Sequence, residues 1–255
     1  MTTAAIAPVL FIGGMDSSGG AGILRDAATA VALNAPYRVA VTAVTAQNDQ
    51  RLSAVLSMPP GMVAEQIALA AEAGLATAKT GMLANRAVVE AVAAHLPPLP
   101  LVVDPVLRSS SDHTLLEPDG IDALLALMLP RTSLLTPNLP ELALLATHMG
   151  LAGAVEARIA AALLARGCSA VLVKGGHGDD PAVCADRLYR HDQPMISFQA
   201  PRIAASLRGT GCQLASAIAT GLAAGMALEP SITKAKAMLT ERFAKARGVD
   251  QPLRD

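Results

Sequence analysis

From residue 9 to residue 173 the chain keeps changing its hydrophobic period. Short unbroken aliphatic runs give way to segments patterned at helical spacing, and back again. Residues 9–12, 39–44, 76–79, 101–103, 134–135 and 170–173 read as strands, and 21–33, 62–73, 86–95, 139–147 and 155–166 as helices. A strand that is apolar at every position has no face to give to water. Its sheet must be covered on both sides, which predicts a central, mostly parallel sheet between two helical layers, an α/β sandwich. The stretch after Val44 is polar and reads as a loop. No repeat or linker interrupts the series, so residues 1–255 are expected to form one domain.

Composition narrows the partners. At 52% hydrophobic and 16% charged the chain is too apolar for disorder. A net charge of -1 without a lysine or arginine cluster gives no footprint for nucleic acid or an anionic membrane. No apolar run approaches the roughly 20 residues of a membrane span, and the first residues lack the basic start of a secretory signal. Cys168, Cys184 and Cys212 are too far apart for a C-x-x-C pair, and an odd number suits a disulfide framework poorly. A cytoplasmic protein is expected.

In such sheets ligands bind beyond the carboxyl ends of the strands, and the distinctive polar segments of this chain follow its strands. The glycine-rich loop 13–22 lacks the third glycine of a dinucleotide motif and the Lys-Ser/Thr of a P-loop, leaving a small-residue turn suited to a flat molecule. Asp26, one turn into the next helix, reads either as a ligand contact or as a solvated charge. Gln47 can donate and accept, as an aminopyrimidine or pyridine edge requires, or it is simply an exposed loop residue. Lys174 fits a phosphate contact or a strand-end lysine reaching water. Asp104 and Glu141 are hard oxygen donors able to hold Mg²⁺ through waters, although Glu141 also suits a first helical turn. His177 reads as a turn residue.

Gly209-Thr210-Gly211-Cys212 precedes a run of small apolar residues. Glycines that expose backbone N–H groups, followed by a helix N-terminus, make an anion hole. The thiol of Cys212 is expected to have a depressed pKa there, as at other helix N-termini, unless it is only a small hydrophobe.

Taken in order, D-S-S-G-G-A-G-I at 16–23, T-A-Q-N at 45–48, K-T-G-M-L at 79–83, V-D-P-V at 103–106, T-P-N-L-P-E at 136–141, V-K-G-G-H at 173–177, A-P-R-I at 200–203 and G-T-G-C at 209–212 closely resemble the hydroxymethylpyrimidine/phosphomethylpyrimidine kinases of thiamine biosynthesis, members of the ribokinase-like superfamily. The resemblance spans almost the whole chain. It implies a ribokinase-like three-layer sandwich using ATP and Mg²⁺, commonly as a homodimer. Gly14, Asp26, Gln47, Met82 and Val106 would surround the pyrimidine, Gly209, Thr210 and Gly211 would form the anion hole, Lys174 would meet the ATP phosphates, and Cys212 would be the base or hydroxyl-orienting group. The chain departs from the family at Arg208, where histidine is usual, and in the loop 107–113. Arg208 is expected to clamp a phosphate or to point to solvent. Pyridoxal or pyridoxine kinase, and a sensor that binds a pyrimidine phosphate without chemistry, are the alternatives.

Overall fold

The computed structural model describes residues 7–109, 113–178 and 180–249. Its centre is one nine-stranded sheet, β1 Val9–Asp16, β2 Tyr37–Gln47, β3 Leu52–Ser57, β4 Thr77–Thr80, β5 Leu101–Val103, β6 Leu134–Leu135, β7 Ala170–Val173, β8 Val183–Arg190 and β9 Ile196–Pro201. The spatial order is β3-β2-β1-β4-β5-β6-β7-β8-β9. From β2 to β7 neighbours are parallel, while β3, β8 and β9 pair antiparallel at the two edges. The expected mostly parallel α/β sandwich is the fold found.

The central strands explain the unbroken aliphatic runs. Val9, Leu10, Phe11 and Ile12 are all fully buried, because alternate side chains enter two different cores. Leu10 and Ile12 pack with α2 (Pro60–Ala71), α3 (Arg86–His95), α5 (Leu139–His148) and α6 (Glu156–Leu164), the face that also holds the short α4 (Pro118–Ala123). Val9 and Phe11 pack toward α1 (Gly22–Ala32), α7 (Thr210–Ala223) and α8 (Leu228–Val249).

The polar stretch after β2 is not a plain loop. It is a turn leading into β3, an edge strand in which most positions face solvent, so no alternation marks it. The sheet order reverses between β1 and β4, since β1 leads to β2 on one side and the chain later returns to β4 on the other. A crevice opens where two adjacent strand ends send their chains in opposite directions, and the functional residues gather there.

Candidate active site

At the end of β1 the buried Asp16 organises the glycine-rich loop. Its Oδ1 accepts from Ser18 N at 2.8 Å and Ser18 Oγ at 2.7 Å, and its Oδ2 accepts from Ala21 N at 2.9 Å, just before α1. One turn later Asp26 is fully buried, not a solvated charge. Its carboxylate accepts from Lys79 Nζ at 3.0 and 2.9 Å and from Ser216 Oγ of α7 at 2.5 Å. Burial alone would depress Lys79, but the charges around it, Asp26 foremost with Asp104 behind it, and the Asp26 hydrogen bond together outweigh it and hold the ammonium above the usual lysine range. Asp26 reaches the cavity wall already committed to an ion pair. Gly14 sits against Met82, whose sulfur would lie 2.9 Å from a Cβ at position 14.

Gln47 ends β2. Its Nε2 donates to Thr45 Oγ1 at 2.8 Å, and its Oε1 accepts from Arg208 Nη2 at 3.1 Å. Arg208 therefore neither points freely to solvent nor is free to clamp a phosphate. It is bound to protein on several sides, including an ion pair with Asp16 at 3.1 Å.

The turn before α7 sets the first amides of that helix beside Lys174. Gly209 lies in the left-handed region at φ 67°, and a Cβ there would stand 2.3 Å from Gly20 O, so only glycine fits. The first amides of α7, from Thr210 to Cys212, have no carbonyl of their own helix to meet. They open beside a cation: a Cβ on Gly211 would lie 3.1 Å from Lys174 Nζ and 3.7 Å from Asp104 Oδ2. Lys174 in turn pairs with Asp104 at 2.6 Å and stands 3.6 Å from Glu141. Glu141 closes a capping box with Asn138 at the start of α5, accepting from Asn138 N at 2.7 Å while Asn138 Oδ1 accepts from Glu141 N at 2.8 Å. Burial pushes the Glu141 carboxyl up to about 7 against the pull of Lys174.

Cys212 does not have the depressed pKa expected at a helix N-terminus. Desolvation pushes the thiol up to about 11, with Asp26 and Asp104 adding to the rise and Lys79 opposing it. The half-dipole of the helix is smaller than the desolvation of a crowded site.

No group of three or more His, Cys, Asp or Glu side chains stands close enough to cage a metal among the described residues. Two carboxylates flanking a lysine fit a hard cation that keeps its own waters and leans on a ligand's phosphates, as Mg²⁺ does.

Gly14, Asp26, Gln47, Met82, Val106, Asp104, Glu141, Lys174, Gly209, Thr210, Gly211 and Cys212 all wall one cavity of about 780 Å³. A second cavity of about 250 Å³ adjoins it, and Asn138, Lys174, Thr210 and Gly211 belong to both walls. Sequence reasoning did not find the second cavity's buried Asp186–Lys236 pair at 2.7 Å, because the two residues are far apart in the chain and neither sits in a motif. Nor did it find Arg202 as a brace, although A-P-R-I contains it. Its guanidinium donates to the carbonyls of Gly175, Gly176, Gly178 and Asp180, fixing the turn after Lys174. That turn contains His177. Leu107, Arg108 and Ser109 line the large cavity, whereas residues 110–112 of the divergent loop lie outside the described residues.

The sequence profile of the phosphomethylpyrimidine kinase family matches residues 16–252. A hydroxymethylpyrimidine/phosphomethylpyrimidine kinase of Salmonella typhimurium is 39% identical over 244 residues, covering 93% of this chain and 91% of that protein. The crystal structure of a Clostridium difficile phosphomethylpyrimidine kinase superposes with a TM-score of 0.76 at 31% identity, over 92% of this chain and 99% of that one. A Staphylococcus aureus pyridoxal kinase in complex with AMP-PCP and pyridoxal superposes with a TM-score of 0.80 at 27% identity, over 99% and 91%. Backbone shape alone does not separate the two kinds of kinase.

Proposed function

Because the chain belongs to the phosphomethylpyrimidine kinase family, we propose that it transfers the γ-phosphate of ATP to the hydroxymethyl group of 4-amino-5-hydroxymethyl-2-methylpyrimidine, and to the monophosphate of that alcohol, in thiamine biosynthesis. The observation that carries this reading is the meeting of two cavities at Lys174 and Gly211, one walled by the pyrimidine-family residues and the other reaching the Lys174 turn. The ring enters the larger space against Gly14, Gln47, Met82 and Val106. The nucleotide enters the smaller one, and its transferring phosphate meets the amides of Thr210, Gly211 and Cys212 with the Lys174 ammonium beside them. Asp104 and Glu141 would hold Mg²⁺ through its waters, and the bound ion would neutralise phosphate charge.

Cys212 acts here as the group that aligns the attacking hydroxyl. A thiol raised to about 11 is un-ionised at neutral pH. In a loose phosphoryl-transfer transition state charge lies mostly on the transferring group and positioning supplies much of the rate, so an un-ionised aligner suffices. No helix among the described residues is long and apolar enough to cross a membrane. Three free cysteines fit a reducing cytoplasm. The whole chain is read as a single kinase domain that pairs as a homodimer.

The test is ADP release with Mg-ATP and, separately, the pyrimidine alcohol, its monophosphate and pyridoxal. Turnover is expected on the pyrimidines in preference to pyridoxal. Preference for pyridoxal would reassign the substrate, and silence on every ring would favour a sensor. Cys212→Ala is expected to keep its fold and lose about 10²-fold in kcat, in the range seen when one positioned catalytic group is removed. Undiminished turnover would remove the aligning role.

A further inference from the structure

Arg208 ties three parts of the large cavity's wall together. Its Nη1 donates to Ser18 Oγ at 2.7 Å in the glycine-rich loop, and to Asn48 O and Asp49 Oδ1, both at 3.1 Å, in the turn after β2. Its Nη2 donates at 3.1 Å both to Asp16 Oδ2 and to Gln47 Oε1. Its own carbonyl accepts from Arg242 Nη2 at 2.9 Å, so the arginine that fastens the two loops is itself fastened beside the anion hole.

The partners of Gln47 have fixed polarity. A guanidinium can only donate, so it must face the amide oxygen. Thr45 Oγ1 gives its proton to Met15 O at 3.2 Å and is left to accept, so it must face the amide nitrogen. The amide is thereby held in one of its two orientations. It still has one N–H and one oxygen lone pair to offer, in a set order. A 4-aminopyrimidine edge presents the complement, a ring nitrogen that accepts next to an amino group that donates. Pyridoxal, superposed by its phosphorylated hydroxymethyl arm and its 2-methyl group, has a bare C–H where the pyrimidine has its amino group, so it offers a ring nitrogen with no donor beside it.

We propose that Arg208 is a positioning residue for ring selectivity, which locks the Gln47 amide in the pyrimidine-reading orientation and holds the glycine-rich loop closed against it. The proposal rests on the kinase reading above and deepens it. It gives Arg208 no part in holding ATP.

Steady-state kinetics of Arg208→Ala and Arg208→Lys test it, with the pyrimidine alcohol, pyridoxal and ATP varied in turn. Arg208→Ala is expected to raise KM for the pyrimidine about tenfold, the scale of one charge-assisted hydrogen bond, with kcat and the KM for ATP near wild type. Preference for the pyrimidine over pyridoxal should fall with it. A single ammonium cannot serve Asp16 and Gln47 in the same forked geometry, so Arg208→Lys should fall between the two. In a Gln47→Ala background the same arginine substitution should change the pyrimidine KM little, since the effect runs through that amide. A raised KM for ATP with an unchanged pyrimidine KM would overturn the proposal in favour of a phosphate clamp, and full additivity with Gln47→Ala would overturn the route through the amide. Hydrogen exchange of the ligand-free protein gives a readout independent of turnover. Amides at 16–22 and 47–51 should exchange faster in Arg208→Ala, and unchanged exchange would overturn the latch. Should the wild-type protein phosphorylate neither ring, the kinase reading falls while exchange still decides whether the latch exists.

Discussion

Thr80 carries a hydroxyl into a fully buried position on β4, and its Oγ1 has no hydrogen-bond partner among the described residues. Its neighbours across the sheet are Ile12 and Val103, both in the aliphatic core that faces α2 and α3. A buried polar atom that has left water without gaining a partner costs about 1–3 kcal/mol. Thr80→Val keeps the branched shape and removes the orphan. It is expected to stabilise the fold by about 1 kcal/mol, raising Tm by roughly 2–4 °C in a chain of this size. Thermal unfolding measures the gain, and an unchanged or lowered Tm would mean that the hydroxyl has a partner in solution. Lys79, one residue earlier, shows the opposite case on the same strand. Its charge is equally buried, but Asp26 receives it, and the pair belongs to the cavity wall.

At the scale of elements, α6 is joined to β8 through one carboxylate. Glu156 accepts from Arg187 Nε at 2.5 Å, Arg187 Nη2 at 2.7 Å and Tyr189 Oη at 2.8 Å. Burial by itself would raise this carboxyl, but the hydrogen bonds from Arg187 and Tyr189 and the Arg187 charge hold it below the usual glutamate range. A depressed pKa in the folded state stabilises at pH values above the unfolded value of 4.5, and that stability is lost as pH falls through the lower folded value. Glu156→Gln should therefore destabilise by about 1–3 kcal/mol near neutrality, with the gap to wild type closing in acid. Urea midpoints of both proteins across pH check this, and a gap independent of pH would sink it. Elements with strong local signals were legible in the sequence: α3 runs over residues 86–95 as read, and the buried central strands stand where the aliphatic runs placed them. The edge strands were not, because β3 buries neither face and the alternation of β8 is weak. The site residues were legible as motifs, but their partnerships were not. Nothing local announces that Asp26 will meet a lysine 53 residues away, or that Arg208 will reach 161 residues back to Gln47.

For the whole molecule, the sheet has two unlike edges. At one, β8 and β9 extend it beside the smaller cavity, with Cys184, Asp186, Ala200 and Pro201 in that wall. At the other, β3 ends the sheet with its outer backbone unpaired among the described residues, next to the β2 turn that holds Gln47. Val44 and Leu56 lie opposite each other across β2 and β3, and both are exposed, Leu56 to 69%. An apolar cross-strand pair on an open edge is a liability in a monomer, and a second copy of the chain is the simplest cover for it. The proposed homodimer is therefore expected to use this edge. Sedimentation velocity of the wild type should show a dimer, and Leu56→Lys should give a monomer with an unchanged circular dichroism spectrum, because the substituted side chain already faces solvent. Since β2 carries Gln47 to the larger cavity, where the ring is proposed to bind, the monomeric variant should also bind the pyrimidine more weakly while its KM for ATP stays near wild type. A wild-type protein that sediments as a monomer at every concentration would remove this interface, and a Leu56→Lys protein that remains dimeric would move it to another face.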